Sequence, residues 1–120
     1  MKSLKNIFIL LMLLLFSAAK AQHPAAPKYE YRAVWLTAIE NLDWPKSFAL
    51  TPQSVENQKQ ELISILDTLQ AMKVNTVLLQ TRVRGDLIYP SSIEPFSHLF
   101  TGVEGLSPGY DPLAFAIAAS

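Results

Sequence analysis

The chain has 120 residues, half of them hydrophobic, with 10 basic and 10 acidic side chains and no cysteine. Without cysteine it cannot form a disulfide framework, a cysteine-ligated metal site or a lipoprotein anchor, which requires a cysteine at the cleavage site. The charge balance also excludes the basic stripe that is typical of a nucleic-acid-binding protein.

The first 21 residues follow the three-part plan of a secretory signal peptide. A positive start with Lys2 and Lys5 precedes an apolar run over residues 7–16, and residues 19–21 (Ala-Lys-Ala) form a small-x-small cleavage site. An uncleaved membrane anchor is the alternative, but the run is shorter than the roughly 20 apolar residues that cross a bilayer. We expect cleavage before Gln22, export to the periplasm or the extracellular space, and no membrane contact after cleavage. Three of the 10 basic residues leave with the signal, so the mature part is mildly acidic.

The mature part is predicted to open with a linker and a buried strand. Residues 22–29 contain Pro24 and Pro27 and are typical of an exposed linker. The near-continuous apolar and β-prone run from Tyr31 to Ile39 predicts a strand buried on both faces, as parallel strands are. A polar loop over residues 40–50 follows.

The next two elements complete a strand–helix–strand unit. Thr51-Pro52 is a helix-start signal, a capping residue followed by proline. Apolar residues then recur at spacings of three and four, which is the pattern of an amphipathic helix: they are Val55, Leu62, Ile65, Leu66, Leu69 and Met72. The helix is predicted to end near residues 74–75, and residues 76–81 form a second buried strand. This succession predicts an α/β fold with two parallel strands in a right-handed βαβ unit.

The rest of the chain is a long connection and the start of another helix. Residues 82–110 lack clear periodicity and are far longer than the 2–6 residues usual for such a loop. Both long connections, 40–50 and 82–110, follow strands and precede helices, which is the active-site side of α/β barrels. Asp111-Pro112 signals a helix that stops at Ser120 after about two turns, so we expect this sequence to be a fragment.

Two sets of polar side chains follow the predicted strands. The first loop carries carboxylate, amide and indole groups of the kind that bind sugars, at Glu40, Asn41, Asp43 and Trp44. An ordinary turn, with Trp44 covering the rim of a barrel, explains these residues equally well.

The second set follows the second strand, where alternate residues point the same way. Gln80, Arg82 and Arg84 share one side, and Asp86 and Tyr89 lie just beyond. An arginine there is suited to hold a carboxylate or a sugar hydroxyl. The competing interpretation is an internal ion pair, for example Arg84 with Asp86, that fastens the loop to the strand end.

Few of these residues point to a particular reaction. Glycoside hydrolysis usually needs two carboxyl groups, about 5–5.5 Å or 6.5–9.5 Å apart, and Glu40 and Asp86 follow adjacent strands. Most loop carboxylates are simply solvated, however, so the pair is only a hypothesis. His23 and His98 are too few and too distant for a metal site, no cofactor is predicted, and no phosphate-binding, dinucleotide or Ser-His-Asp signature is present.

Several short sequence motifs occur in a fixed order, and this order identifies a family more specifically than any one of the motifs. They are RAVWLT at 32–37, DWP at 43–45 after Asn41, NTV at 75–77, QTRVRGD at 80–86, YPS at 89–91, LFTG at 99–102 and PGYDPL at 108–113. With these motifs the chain resembles the glycosyl hydrolase-like 10 family of exported bacterial (β/α)-barrel proteins over almost all of residues 30–120. One departure is Lys73, where relatives commonly place glycine at the end of the helix.

The resemblance implies that the chain is the amino-terminal part, about two βα units, of a TIM-type (β/α)8 barrel. It implies action on a polysaccharide outside the cytoplasm, with peptidoglycan glycan strands as the leading substrate and the catalytic acids on later strands, beyond residue 120. It also implies a substrate-binding role in the groove for six residues: Asn41, Trp44, Gln80, Arg82, Asp86 and Tyr89.

Two other interpretations remain. One is a non-catalytic carbohydrate-binding barrel that keeps the groove and lacks the acids. The other is an inactive truncated product, in which the apolar side chains of Trp35, Leu36, Val77 and Leu79 are exposed because the strands that should cover them are absent.

Overall fold

The computed structural model describes residues 4–7 and 29–120 of the chain. Residues 4–7 are helical, and the fold is carried by a compact unit, Tyr31–Ser120. The predicted signal peptide (1–21) and linker (22–29) fall almost entirely outside the described residues. Within the described ranges, no helix has the length and apolar character needed to cross a membrane.

Two parallel strands and one long helix form an α/β framework. Strand β1 is Ala33–Leu36, helix α1 is Pro52–Ala71 and strand β2 is Thr76–Leu79. The two strands pair in parallel over four residues each. This confirms the predicted order of strand, helix and parallel strand.

Both strands are shorter than predicted, and at the end of β1 the reason is that a loop side chain takes over a backbone hydrogen bond. The backbone N–H of Thr37 donates to Oδ2 of Asp43 at 2.9 Å instead of continuing a strand. A short 3-10 helix, Ile39–Asn41, follows, with Glu40 and Asn41 both at positive φ. The chain therefore turns away from the sheet where the sequence predicts a strand up to residue 39.

Helix α1 begins at the predicted signal. Thr51 is its N-cap, and the N–H of Ser54 donates to Oγ1 of Thr51 at 3.1 Å. In return, the N–H of Thr51 donates to Oγ of Ser54 at 2.8 Å, and Pro52 occupies the first turn, where it loses no helical hydrogen bond. Cap and proline together fix the start of the helix.

The end of α1 lies earlier than predicted, at Ala71. Lys73 adopts a left-handed conformation with φ +64°. Its N–H donates to the carbonyl of Gln70, and the N–H of Val74 donates to that of Leu69, both at 2.9 Å. This is the pairing of a Schellman motif, in which glycine is the favoured residue at the position of Lys73.

Only one face of the two-stranded sheet is covered by the described residues. Leu36 is buried, and Val77 and Leu79 pack against the core under α1. Trp35 is 63% exposed and lies opposite Leu78 on the other face. The prediction of strands buried on both faces is therefore wrong for this structure, since side chains alternate and α1 covers only one side. For the same reason, Leu36, Val77 and Leu79 do not form the expected exposed surface.

The long connection after β2 is ordered. An antiparallel bridge pairs Arg82 with Leu87, and a parallel bridge pairs Leu87 with Phe96. A short helix that the sequence did not predict, α2 (His98–Thr101), follows. The last helix, α3 (Pro112–Ala119), begins as predicted, with the N–H of Ala114 donating to Oδ1 of Asp111 at 3.0 Å.

Aromatic residues from the two long connections form much of the core. Trp44 and Phe100 meet edge to face with ring centroids 5.1 Å apart, and Phe96 packs on Phe100 at 6.2 Å. Leu62 of α1 and Ile88 are fully buried beside them. The two connections are therefore held against α1 and against each other.

Candidate functional site

The candidate site lies at the carboxyl ends of β1 and β2. The backbone N–H of Gln80 donates to the carbonyl of Leu36 at 2.9 Å, so backbone contact continues one residue past β2. The hydroxyl of Thr37 donates to Oε1 of Gln80. By strand alternation these two side chains share the face of Trp35 and Leu78. Gln80, a predicted site residue, thus forms a polar pair at the upper edge of the uncovered face.

An ion pair joins the two loops above this edge. The guanidinium of Arg84 donates to Oε1 of Glu40, and their side chains are 52% and 75% exposed. The competing interpretation named an internal ion pair, with Arg84 and Asp86 as the example. Such an ion pair is present, but the partner of Arg84 is Glu40, whereas Oδ1 of Asp86 accepts from the backbone N–H of Arg84 at 3.2 Å. The exposed charges therefore belong to Arg84 and Glu40.

A second ion pair involves the predicted site residue Arg82. Its Nε lies 2.7 Å from Oε2 of Glu94 and its Nη2 lies 2.6 Å from Oε1, a bidentate arrangement. The hydrogen bonds from Arg82 lower the pKa of Glu94, and Glu94 in turn raises the pKa of Arg82. Tyr89 is half-buried and near enough to add to the raised pKa of Arg82. Glu94 was missed by sequence reasoning because it lies 12 residues away in a segment without periodicity.

Asp86 is buried rather than open to a groove, with 5% of its surface exposed. Its Oδ2 accepts from Oγ of Ser97 at 2.8 Å and lies 3.7 Å from Nδ1 of His98. Ser97 is fully buried and caps α2 by accepting from the N–H of Leu99. Asp86 therefore organises the segment between β2 and α2, and it brings His98 to the same edge of the sheet.

The structure gives Asn41 a structural role. Its Nδ2 donates to the carbonyls of Pro45 and Leu99, both at 2.7 Å. The side chain therefore ties the first loop to α2, and its Nδ2 is committed to these backbone partners.

Trp44 lies in the core, with 1% of its surface exposed, and Nε1 donates to the carbonyl of Gln58 at 2.7 Å. The expectation that its ring stacks on a sugar is therefore replaced by a packing role. The physical reason is that the apolar ring fills the space between α1 and Phe100, and a buried indole N–H requires an acceptor.

Gln58 was also missed by sequence reasoning. It is fully buried; its Nε2 donates to the carbonyls of Ser47 and Phe100 at 2.5 and 2.9 Å, and its Oε1 accepts from the hydroxyl of Tyr110 at 3.0 Å. Burial, with a smaller effect of the charge of Glu61, raises the pKa of Tyr110. A signal existed, because residue 58 falls on the apolar stripe of α1, where a polar side chain must find buried partners.

The arrangement offers hydrogen-bonding and charged groups at one edge of a sheet, and it does not assign a catalytic pair. Glu40 is bound to Arg84, whereas the buried carboxylate of Asp86 accepts from the hydroxyl of Ser97 and from the backbone N–H of Arg84. In the described part of the chain, no cluster of three or more His, Asp or Glu side chains could hold a metal ion.

Known proteins share this stretch of sequence. The protein named Glycosyl hydrolase YngK from Bacillus subtilis is 49% identical over 88 residues, which cover 73% of this chain and 17% of that protein. Glycosyl hydrolase DigH from Escherichia coli is 39% identical over 90 residues, which cover 72% of this chain and 20% of that protein. The chain thus spans a fifth or less of the length of these curated relatives. The family model described as Glycosyl hydrolase-like 10 matches residues 30–120, and the chain therefore belongs to the glycosyl hydrolase-like 10 family.

Proposed function

We propose that this chain is the amino-terminal part of an exported glycoside hydrolase that acts on polysaccharide, with peptidoglycan glycan strands as the leading substrate. The observation that carries the proposal is the family match over residues 30–120, on a chain in which the exposed charged side chains of Glu40 and Arg84 meet beyond the carboxyl ends of two parallel strands. Active-site residues of α/β barrels lie at that end.

The proposed architecture is a TIM-type (β/α)8 barrel. The parallel strands joined by α1 supply one βαβ unit, which is the repeating element of such a barrel. The uncovered face with Trp35 and Leu78 is apolar, like the packed interior of a barrel, and further strands would cover it. Its upper edge, with Thr37 and Gln80, would then line the mouth.

The groups at this edge suit a sugar substrate. Hydroxyl groups are bound by planar amides, carboxylates and guanidinium groups that offer paired donors and acceptors. Gln80, Arg84 with Glu40, and Arg82 with its neighbour Tyr89 supply these groups at or near the surface. The buried carboxylate of Asp86 fixes the loop that carries Arg82 and Arg84, through its hydrogen bonds with Ser97 and with the backbone N–H of Arg84.

Neither member of the catalytic carboxyl pair is assigned to these residues. Hydrolysis requires a protonated carboxyl group as general acid and an ionised one opposite it. The lowered pKa of Glu94 keeps it ionised, Glu40 is held by Arg84, and Asp86 is bound to Ser97 inside the loop. We therefore place the catalytic acids at the ends of later strands, beyond residue 120.

The decisive experiment is to express the complete gene product from residue 22 onward and measure the release of soluble saccharides from purified peptidoglycan and other polysaccharides. Release that is abolished when a downstream strand-end carboxylate is changed to its amide supports the proposal. Arg84→Ala should raise KM, whereas Lys73→Ala, which removes one positive charge at the opposite end of the strands, should not. Glycan binding without turnover would identify a non-catalytic carbohydrate-binding barrel instead.

Export is tested separately, by mass spectrometry of the amino terminus of the protein produced by its native host. A mature terminus at Gln22 in the periplasmic or extracellular fraction is expected from the Ala-Lys-Ala signal. A chain that keeps residues 1–21 and sediments with membranes would instead make the segment an anchor.

A further inference from the structure

The residue that stands out beyond this proposal is His98. It is the first residue of α2, and its side chain is 44% exposed, whereas the preceding Ser97 is fully buried. The backbone on either side is fixed, since the N–H of Ser97 donates to the carbonyl of Leu87 at 2.8 Å and Asn41 donates to the carbonyl of Leu99. The imidazole is therefore exposed, while the backbone that carries it is held by hydrogen bonds on both sides.

The carboxylate of Asp86 lies beside this imidazole. The carboxylate of Asp86 is buried and has two neutral donors, the hydroxyl of Ser97 and the N–H of Arg84. A buried carboxylate is costly unless a positive or strongly polar group compensates it. The guanidinium groups of Arg82 and Arg84 are bound to glutamates, and Nδ1 of His98 lies 3.7 Å from Oδ2 of Asp86.

The consequence follows from the two ring nitrogens. An imidazole whose Nδ1 carries its proton toward a carboxylate presents Nε2 on its other side as an acceptor, or as a donor when the ring is protonated. The 3.7 Å separation is longer than a hydrogen bond, and such contacts commonly tighten when a ligand binds. Asp86, His98 and Ser97 do not form a catalytic triad, because Ser97 is buried and its hydroxyl donates to Asp86. The arrangement is therefore an Asp–His pair without a nucleophile.

We propose that His98 is a glycan contact, with Nε2 bound to a hydroxyl group of a neutral sugar and the ring held in place by Asp86. This assignment rests on the proposed function, because it assumes that the edge where His98 lies faces a polysaccharide. From its place in the sequence, His98 was considered only as a metal ligand, and that role was rejected. The contact with buried Asp86 and the exposure of the ring together carry the assignment.

The first test is spectroscopic and uses the complete gene product without residues 1–21. The ring ¹⁵N resonances of His98, identified by their loss in His98→Asn, are followed while a hexasaccharide of β-1,4-linked N-acetylglucosamine is added. We expect the Nε2 resonance to shift with saturation. In Asp86→Asn, the resonance should report a mixture of tautomers in the free protein, because the carboxylate that selects the Nδ1–H form is gone.

The second test is kinetic. His98→Asn keeps a polar atom near the position of Nδ1, and so keeps a partner for Asp86, but it removes the outer nitrogen. We expect KM to rise about tenfold, the effect of one lost hydrogen bond to the ligand, with kcat changed less and thermal stability unchanged. Glu104→Gln, an exposed substitution in the loop after α2, is the control and should change neither value.

The outcomes separate this inference from the proposed function. Turnover by the unmodified protein, with no shift at His98 and an unchanged KM in His98→Asn, would leave the hydrolase proposal intact and overturn the role of His98. A shift at His98 without any turnover would support the contact and count against hydrolysis. If His98→Asn does not fold, the resonance of His98, assigned through His98→Gln, decides the question, since lack of a shift refutes the contact.

Discussion

The two long connections occupy equivalent positions, each after a parallel strand, yet they have opposite characters. The loop after β1 turns inward, with Trp44 buried and Asn41 bonded to backbone carbonyls. In the segment after β2, Asp86 is buried and organises the loop, while Arg82, Arg84 and His98 are exposed at the surface. A position after a parallel strand therefore does not by itself make a side chain available to a ligand. Its burial and its hydrogen-bond partners decide whether it is available.

The largest expected effect tests the inward character of the first loop. Trp44→Ala should reduce the free energy of unfolding by about 3–5 kcal/mol, because it empties a buried site and removes the indole hydrogen bond to the carbonyl of Gln58. Denaturant unfolding of the complete gene product measures the change. A groove residue would behave differently, so a Trp44→Ala protein of normal stability with a raised KM would refute the packing role.

Gln58 holds the same loop from the side of α1 and should have the next largest effect. Gln58→Leu removes the side-chain donor to the carbonyl of Ser47, one of the two donors to the buried carbonyl of Phe100, and the acceptor of the Tyr110 hydroxyl, and we expect a loss of about 3 kcal/mol. Gln60→Leu, at an exposed position of the same helix, should change stability by about 0.5 kcal/mol or less. Equal effects of the two substitutions in thermal unfolding would show that the hydrogen bonds of the Gln58 side chain do not stabilise the fold.

These residues also mark how far the sequence could predict the structure. The strand–helix–strand order and the starts of α1 and α3 follow from local signals, namely periodicity and cap-then-proline pairs, and the structure confirms them. The burial of Trp44 does not follow from such signals, because it depends on Phe100, which lies 56 positions later and packs on it only after folding. Gln58 was predictable in principle from its place on the apolar stripe.

The candidate site was predictable only in outline. Alternation after β2 places Gln80, Arg82 and Arg84 on one side, which locates the edge. Their partners were not predictable, since Glu94 and Glu40 come from separate loops whose approach depends on the bridges of Leu87 and on α2. Asp86 differs from its predicted place in the groove for the same reason, because its burial is a property of the folded loop, and so is the exposure of His98.

The short turn between α1 and β2 provides a contrast to both long connections, because its role is conformational. Lys73→Gly should raise the free energy of unfolding by about 1 kcal/mol, since glycine adopts a positive φ without the steric cost that a side chain carries. Lys73→Ala keeps a Cβ and removes the same charge, so it should give no such gain. A stabilisation by alanine equal to that by glycine would point to charge rather than backbone geometry.

The smallest expected effect concerns the exposed ion pair of the second segment, and its signature is pH dependence. Arg82 lowers the pKa of Glu94 in the folded state, so the pair contributes stability above the unfolded pKa of the carboxyl group and loses it as pH falls through the folded value. Glu94→Gln should therefore lower the melting temperature slightly at neutral pH, and the difference from the unmodified protein should vanish in acid. Because the pair is at the surface, added salt should also reduce the difference. A difference that persists at low pH and high salt would mean that Glu94 acts through packing, and the second connection would then resemble the first more closely than its exposed charges indicate.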